Sequence, residues 1–292
     1  MSTKNTIIGI IWGSLIGSDK TGDIVNREQL LEYMRNTLTN GKFYPIEYCQ
    51  NIKKIIDDQI VADKILVQVL NHEGCKKNPT RSAEDIDRKF TVLDDKDYVP
   101  TNAALIRAIP AGFFDDWVDR SILSTMCTHM NKRCIASGLI ISSIIRERVL
   151  GLEINLDDVI PETLNIIHKS KQMDEKEFKK LAKFALLFKL DEIKKIKKPD
   201  NYIYISLLFC LRSFSFFLNN GLSFEEGMEF AQKIISEYDL DPAINLSLIG
   251  GLFGCEVGYD NLPMELMQNI SDFDEISLLI QEWTDKFLSS ST

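Results

Sequence analysis

Positive charge is scarce in this chain of 292 residues, and its cysteines show no pairing motif. The chain has 34 Lys and Arg against 43 Asp and Glu, which gives a formal net charge of −9. Because phosphate backbones are bound by basic surfaces, this balance argues against nucleic acid as a main partner. Six cysteines occur without a Cys-x-x-Cys pair. Unpaired cysteines are typical of a reducing compartment, and the N-terminus does not resemble a signal peptide, so we expect a cytoplasmic protein.

Long apolar runs are also rare, and only residues 202–218 call for a membrane check. This run is somewhat short for a bilayer span, and Arg212 lies near its middle. We therefore expect a buried core helix here and no membrane partner.

Patterns typical of paired strands and internal repeats are missing, and helical periodicity dominates instead. Residues 45–69 are expected to form two helices, residues 71–100 an irregular connection, and Lys194–Lys198 a solvated loop. Ser223 and Glu226 form a predicted capping box. The other predicted helices span residues 5–17, 28–39, 101–114, 116–126, 130–150, 155–169, 174–189, 201–219, 223–238, 243–257 and 272–288.

The most informative segment is Thr-Asn-Ala-Ala-Leu-Ile-Arg-Ala-Ile-Pro at residues 101–110. Small residues let another backbone approach closely. Arg107 is a single charge in an otherwise apolar, helix-like stretch, and such a charge is costly unless it is paired or hydrated. On residue chemistry alone, Arg107 is explained by a bond to a structural carboxylate, and a resemblance gives a second explanation.

This segment resembles the Asn-Gly-Ala-Leu-Met-Arg-x-x-Pro signature of the ADP-ribosylglycohydrolase family. Three further landmarks of that family occur in the expected order along the chain. They are Gly9, Gly13 and Gly17 followed by Ser-Asp, the Leu-Ser-Thr-Met-Cys-Thr-His segment at 123–129, and the segment 249–258 with Gly250, Gly254 and Gly258, followed by Asn261-Leu-Pro263. The resemblance implies an all-α fold in a single compact domain over residues 1–292.

The resemblance also implies a chemistry. Active members of the family hydrolyse the bond between ADP-ribose and a protein, using two divalent cations, usually magnesium or manganese, that need oxygen ligands. Asn102, Arg107, Thr128, His129 and Asn245 match family positions near the ligand cleft. The resemblance therefore makes ADP-ribose or an ADP-ribosylated protein the expected partner. His129 has a second explanation, as a helix-capping or core imidazole.

The metal ligands of the family are mostly replaced in this chain. Asn26 and Arg27 stand where the first ligand cluster has two Asp, and an arginine does not ligate cations. After Gly17, the acidic residue comes one place late, at Asp19.

For the second cluster, an ungapped count from the glycines retains Asp241 and Asn245 but puts Ala243 in place of an Asp. A two-residue insertion would instead match Asp239 and Asp241 to the Asp-x-Asp pattern. Since Pro242 follows Asp241, this residue is also predicted to be a helix N-cap.

Three hypotheses follow. In the first, the family fold persists while the metal site has degenerated, so that hydrolysis is weak or lost and an ADP-ribose-binding or structural role remains. In the second, Asp19, Asp23, Asp239 and Asp241 form a rebuilt site, and the protein is an active, magnesium-dependent hydrolase. In the third, the chain is an unrelated helical interaction scaffold.

Overall fold

A computed structural model describes residues 1–40, 47–48, 51, 101–126, 129, 131–170, 173–196 and 202–290. These residues are helical apart from turns, short connections and an isolated antiparallel bridge between Thr101 and Tyr202. The all-α prediction is therefore confirmed. The two helices expected within residues 45–69 and the connection at 71–100 lie outside the described residues, apart from 47–48 and 51. The α-helices are α1 (Thr3–Asp19), α2 (Ile24–Asn40), α3 (Ala108–Ala111), α4 (Trp117–Met126), α5 (Lys132–Val149), α6 (Leu156–Lys169), α7 (Glu175–Ala182), α8 (Ile203–Asn220), α9 (Phe224–Tyr238), α10 (Pro242–Val257), α11 (Met264–Gln268) and α12 (Phe273–Ser290).

Helices α1 and α10 run antiparallel at the centre of the fold, and their glycines make this close approach possible. A Cβ atom on Gly13 would overlap the carbonyl oxygen of Gly250, and one on Gly17 would overlap that of Leu246. At the other end, a Cβ on Gly9 would lie 2.6 Å from the carbonyl oxygen of Gly254. We call this contact the glycine seam (Gly9, Gly13, Gly17, Gly250, Gly254). It places the C-terminal end of α1 beside the N-terminal end of α10.

The apolar run that called for a membrane check forms most of α8. By length and composition this helix could cross a membrane, and 67% of it is buried inside the protein. Phe217 stacks on Phe253 of α10 with ring centroids 4.2 Å apart, and Phe214 is fully buried beside them. The polar Arg212 is used within the fold, because its Nε and Nη2 donate to the carbonyl oxygens of Phe188 and Ala185, both at 2.8 Å. This packing is that of a core helix.

Local structure departs most clearly from the sequence predictions in three places. The helix predicted over residues 101–114 is a 3₁₀ helix, Asn102–Arg107, followed by the single turn of α3. Pro110, which has no N–H to donate, lies within that turn.

The helix predicted over residues 174–189 ends as an α-helix at Ala182 and continues as a π-helix, Lys183–Leu187. Here the carbonyl oxygens at the irregular turn bond to Arg212 instead. The third departure concerns Lys194–Lys198, whose first two residues belong to a 3₁₀ helix, Leu190–Lys195. The predicted capping box at the start of α9 is confirmed, since both Ser223–Glu226 bonds are present.

Candidate functional site

Four chain segments meet at one end of the glycine seam, at what we call the polar corner. It is defined by Ser18, Asp23, Asn26, Asn102, Asp241 and Asn245. Gly17 contacts Leu246 there, which places the end of α1 against the first turn of α10. The backbone N–H of Asp23 donates to the carbonyl oxygen of Ser18 at 3.3 Å, and this turn leads into α2.

Asp241 organises the α10 side of the corner. As predicted, it is the N-cap of α10: its Oδ1 accepts from the backbone N–H of Ala243 at 3.0 Å. Its Oδ2 accepts from Nδ2 of Asn102 at 3.0 Å, which joins α10 to the start of the 3₁₀ segment. The carbonyl oxygen of Asp241 accepts from Nδ2 of Asn245 at 2.8 Å. Two of the residues assigned to ligand binding, Asn102 and Asn245, are thus brought together by Asp241.

Asp23 organises the α2 side in a similar way. Its Oδ1 accepts from the backbone N–H groups of Val25 at 2.8 Å and Asn26 at 3.3 Å. Its Oδ2 accepts from Nδ2 of the buried Asn26 at 2.7 Å. Arg27 faces Glu28 and Asp272, with N–O distances of 3.3 and 3.7 Å. Asn26 thus bonds inside the corner, and Arg27 pairs with neighbouring carboxylates.

The other two acidic residues considered as ligands lie in exposed positions. Asp19 is the last residue of α1 and is exposed to solvent. Asp239 is exposed as the C-cap of α9, with a left-handed φ of 51° that Asp tolerates better than most residues. Asp239 separates the end of α9 from Leu240, which is buried in the core.

These donors do not fit a pair of divalent cations. In the described part of the chain, no group of three or more His, Cys, Asp or Glu side chains could hold a metal ion. Both oxygens of Asp23 and both of Asp241 already accept hydrogen bonds, and the remaining oxygens of the corner belong to neutral side chains. Hard dications are held by several anionic oxygens, and two carboxylates balance only half the charge of two such ions.

Arg107 lies next to the corner and is 1% exposed. Its Nε donates to the carbonyl oxygen of Ser124 at 2.9 Å, and its Nη1 donates to Oε1 of Gln29. These two bonds reach neutral oxygens of α4 and α2. Arg107 thereby ties the 3₁₀ segment to two helices.

His129 is also buried, and it lies beside the residue that precedes the 3₁₀ segment. Its Nε2 is 2.8 Å from Oγ1 of Thr101, and its backbone N–H donates to the carbonyl oxygen of Thr125. Burial, together with the nearby Arg107 guanidinium, lowers the pKa of His129 to about 3, so the imidazole is neutral at physiological pH. Its neighbour Thr128, also assigned to ligand binding, lies outside the described residues.

Three side chains at or beside the corner retain unused hydrogen-bonding atoms. In the described part of the chain, Oγ of Ser18, Nε2 of Gln29 and Oδ1 of Asn245 are among the buried side-chain atoms without a hydrogen-bond partner, and others, such as Oγ of Ser206 and of Ser213, lie elsewhere in the fold. Buried polar atoms normally have one, because leaving them unpaired costs about 1–3 kcal/mol. Sequence reasoning missed Ser18 and Gln29. A signal existed for Ser18, which directly follows the third glycine of the seam, but none existed for Gln29.

Comparison with known proteins covers most of the chain. A sequence profile of the ADP-ribosylglycohydrolase family matches residues 28–291. A solved structure titled "ADP-ribosylglycohydrolase-related protein complex" superimposes with a TM-score of 0.66 at 13% sequence identity, covering 98% of this chain and 97% of that one. At this identity the superposition establishes the shared fold. No protein of curated function matches the chain significantly by sequence.

Proposed function

This chain belongs to the ADP-ribosylglycohydrolase family, and we propose that it binds ADP-ribose, or the ADP-ribosyl group of a modified protein, at the polar corner, with hydrolysis weak or lost. Family membership removes the hypothesis of an unrelated helical scaffold. A cytoplasmic setting, without nucleic-acid or membrane partners, is part of the proposal.

The observation that carries the proposal is the set of unused buried atoms. The Ser18 hydroxyl can donate or accept, the Gln29 amide nitrogen can donate, and Oδ1 of Asn245 can accept. A ribose carries hydroxyls that both donate and accept, so a sugar bound here would satisfy groups that are otherwise left unpaired. The last contact of the glycine seam joins Gly17 to Leu246. Ser18 directly follows Gly17 and Asn245 directly precedes Leu246, so both residues lie next to this contact.

The charge of the corner supports binding more than catalysis. Hydrolysis in this family relies on dications near the anomeric carbon, and the donors described above do not fit them. Asp23 and Asp241 are engaged by N–H donors of their own helices and of Asn26 and Asn102. Binding of a neutral sugar hydroxyl needs no such charge balance.

Calorimetric titration of ADP-ribose, with and without magnesium, tests the binding step. We expect binding that is independent of magnesium. Ser18→Ala should weaken it about tenfold, the cost of about one hydrogen bond, while leaving the fold intact, since the variant removes an unpaired buried hydroxyl.

Asn245→Leu should weaken binding further, and Asn261→Leu provides its matched control. Both asparagines donate from Nδ2 to the carbonyl oxygen four residues earlier, at 2.8 Å, and Asn261 lies beyond the opposite end of α10. Equal affinities for the two variants, or no ADP-ribose binding by the wild type, would contradict the proposal.

Release of ADP-ribose from a modified peptide tests the catalytic step separately. We expect no magnesium-dependent release above the background rate. Release that requires magnesium and is lost in Asp241→Asn would favour the active hydrolase with a rebuilt site.

A further inference from the structure

The two most exposed leucines of the described residues lie on helical faces of opposite charge. Leu187 is 70% exposed at the end of the π-helix that continues α7, and Leu278 is 72% exposed on α12. Single exposed leucines are common on protein surfaces and need no explanation by themselves. These two differ from the common case because lysines share the face of the first and carboxylates share the face of the second.

The face around Leu187 is basic. Residues 176–189 contain five Lys and one Glu, in a chain whose formal net charge is −9. That Glu, Glu177, accepts from Nε and Nη2 of Arg133 at 2.7 and 2.9 Å, so its charge is compensated. Exposed lysines recur at helical spacing and lead to the leucines of the π-helix. We call this surface the basic face (Lys176, Lys179, Lys183, Leu186, Leu187).

Arg212 of α8 fixes the turn that presents the two leucines of the basic face. Its Nη2 donates to the carbonyl oxygen of Ala185 and its Nε to that of Phe188, both at 2.8 Å, and Leu186 and Leu187 lie between these two residues. π-Helical turns are rare and occur frequently at functional sites. A turn that is already fixed loses little freedom when a partner covers it, which favours binding.

Helix α12 carries the opposite charge on its exposed side. Three exposed carboxylates and Leu278 follow one another at spacings of three and four residues, which place them on one side of the helix. We call this surface the acidic face (Asp274, Glu275, Leu278, Glu282). In the part of the chain that the structure describes, its three carboxylates form no ion pair, whereas Asp272 and Asp285 on either side of them do.

The two faces match in spacing as well as in sign. Lys176 and Lys183 are seven residues apart, and so are Glu275 and Glu282, which is two helical turns or about 10 Å on each helix. The stems of lysine side chains are apolar, so Leu278 can lie against them while charges pair on either side. Within one molecule the faces have different supports, because α12 packs on α1 and α2 whereas the π-helix packs on α8.

We propose that the basic face of one molecule binds the acidic face of a second copy of this chain. Nucleic acid or an anionic membrane fits the basic face less well, because the chain as a whole is acidic and would repel an extended polyanion. Two helix faces bury less surface than a permanent interface, so the association is weak and depends on salt. It is independent of whether ADP-ribose binds at the polar corner.

Sedimentation velocity of the full chain, in about 50 mM and about 500 mM NaCl, tests the proposal. We expect oligomers in low salt that dissociate in high salt. The double variant Lys176→Glu, Lys183→Glu should be monomeric in low salt, and so should Glu275→Lys, Glu282→Lys. Leu278→Gln should weaken the association about tenfold, because one leucine side chain is no longer buried in the contact.

A mixture of the two charge-reversed variants is the most specific measurement. Each variant alone has two faces of like charge and cannot associate. In the mixture, the unchanged faces of the two variants are complementary, and so are the reversed faces, so oligomers should return. Both variants keep a negative formal net charge, and a general attraction between oppositely charged proteins therefore does not account for recovery.

Lys20→Glu with Lys233→Glu is the matched control, because it changes the net charge equally at exposed lysines outside the basic face. It should weaken the association far less than reversal of the basic face. A wild type that stays monomeric in low salt, a control as disruptive as that reversal, or a mixture that stays monomeric would overturn the proposal. So would a monomeric wild type whose basic face binds a synthetic acidic peptide, since this would assign the face to another protein.

Discussion

The glycine seam and the polar corner both lie on helices α1 and α10, but different interactions hold them together. Along the seam, backbone atoms touch, so that a single added carbon atom has no space. At the corner, side chains hold one another through hydrogen bonds, and an amide can replace a carboxylate without changing the shape. The seam therefore constrains residue size, whereas the corner constrains charge.

The largest effect should come from breaking the seam. In Gly250→Ala, the new Cβ overlaps the carbonyl oxygen of Gly13, and backbone on both helices would have to move. We expect a loss of about 3 kcal/mol or more in the free energy of unfolding, even though alanine is the better helix former by about 1 kcal/mol. Denaturant unfolding measures this loss.

The next residue on the same helix supplies the control. At Gly251, the nearest atom to an added Cβ is Cδ1 of Ile109 at 3.1 Å, the flexible end of a side chain. Gly251→Ala should therefore cost at least 2 kcal/mol less than Gly250→Ala, as an order of magnitude. Equal losses would mean that the seam is not the tight contact described here.

A second comparison sets the buried Arg107 against Arg27, which lies at the edge of the corner. The Arg107 fork donates in two directions, to Ser124 and Gln29, and one ammonium group cannot reach both. Arg107→Lys should cost about 2–3 kcal/mol, because a buried carbonyl loses a charged donor. Arg27→Lys should stay within about 1 kcal/mol, since its partners are carboxylates near the surface. A reversed order, in denaturant unfolding, would contradict the assignment of Arg107 as a structural tie.

The pH dependence of the free energy of unfolding provides a third test, through the buried His129. The pKa of His129 is lowered to about 3 in the folded protein, against about 6.5 when unfolded. Its folded pKa lies below its unfolded value, so the neutral ring stabilises the fold fully above pH 6.5. This contribution is lost as the pH falls towards 3, because only the unfolded state takes up the proton.

Between pH 7 and pH 5 the loss from His129 should reach about 2 kcal/mol. His129→Gln should reduce the pH dependence by that amount. Unfolding curves for the wild type and the variant at both pH values measure the difference. Identical slopes for the two proteins would show that folding does not shift the pKa of this ring.

The sequence predicted the features of the glycine seam better than those of the polar corner. The glycine spacing and helical periodicity predicted α1, α10 and the helix order, because steric demands leave a regular pattern. Asp241 was predictable as an N-cap from Pro242 beside it. The 3₁₀ geometry at Asn102–Arg107 was not predicted from the sequence, and it coincides with tertiary contacts made by Arg107.

The partners of corner side chains were harder still to predict. Nothing in the local sequence says that Asn102 will meet a residue 139 positions away, or that Gln29 will accept a bond from Arg107. The resemblance predicted that Asn26 and Arg27 replace two Asp of the family. That Asn26 bonds to Asp23, one turn earlier, became visible only in the folded helix start.

The smallest expected effect is the coupling across the corner itself. A double-mutant cycle with Asn102→Ala and Asp241→Ala isolates the bond between them, since the loss of the α10 cap occurs in both arms that carry Asp241→Ala and cancels. We expect a coupling free energy of about 1 kcal/mol, because the bond has a charged acceptor but is only partly buried. The analogous cycle for Asn155 and Asp158 should give a value near zero, since that pair is exposed. If the two cycles give the same coupling, side chains at the corner hold together no better than side chains on the surface. The side chains of the corner would then add no specific coupling to the fold, and the corner could not be contrasted with the glycine seam as a site that constrains charge instead of size.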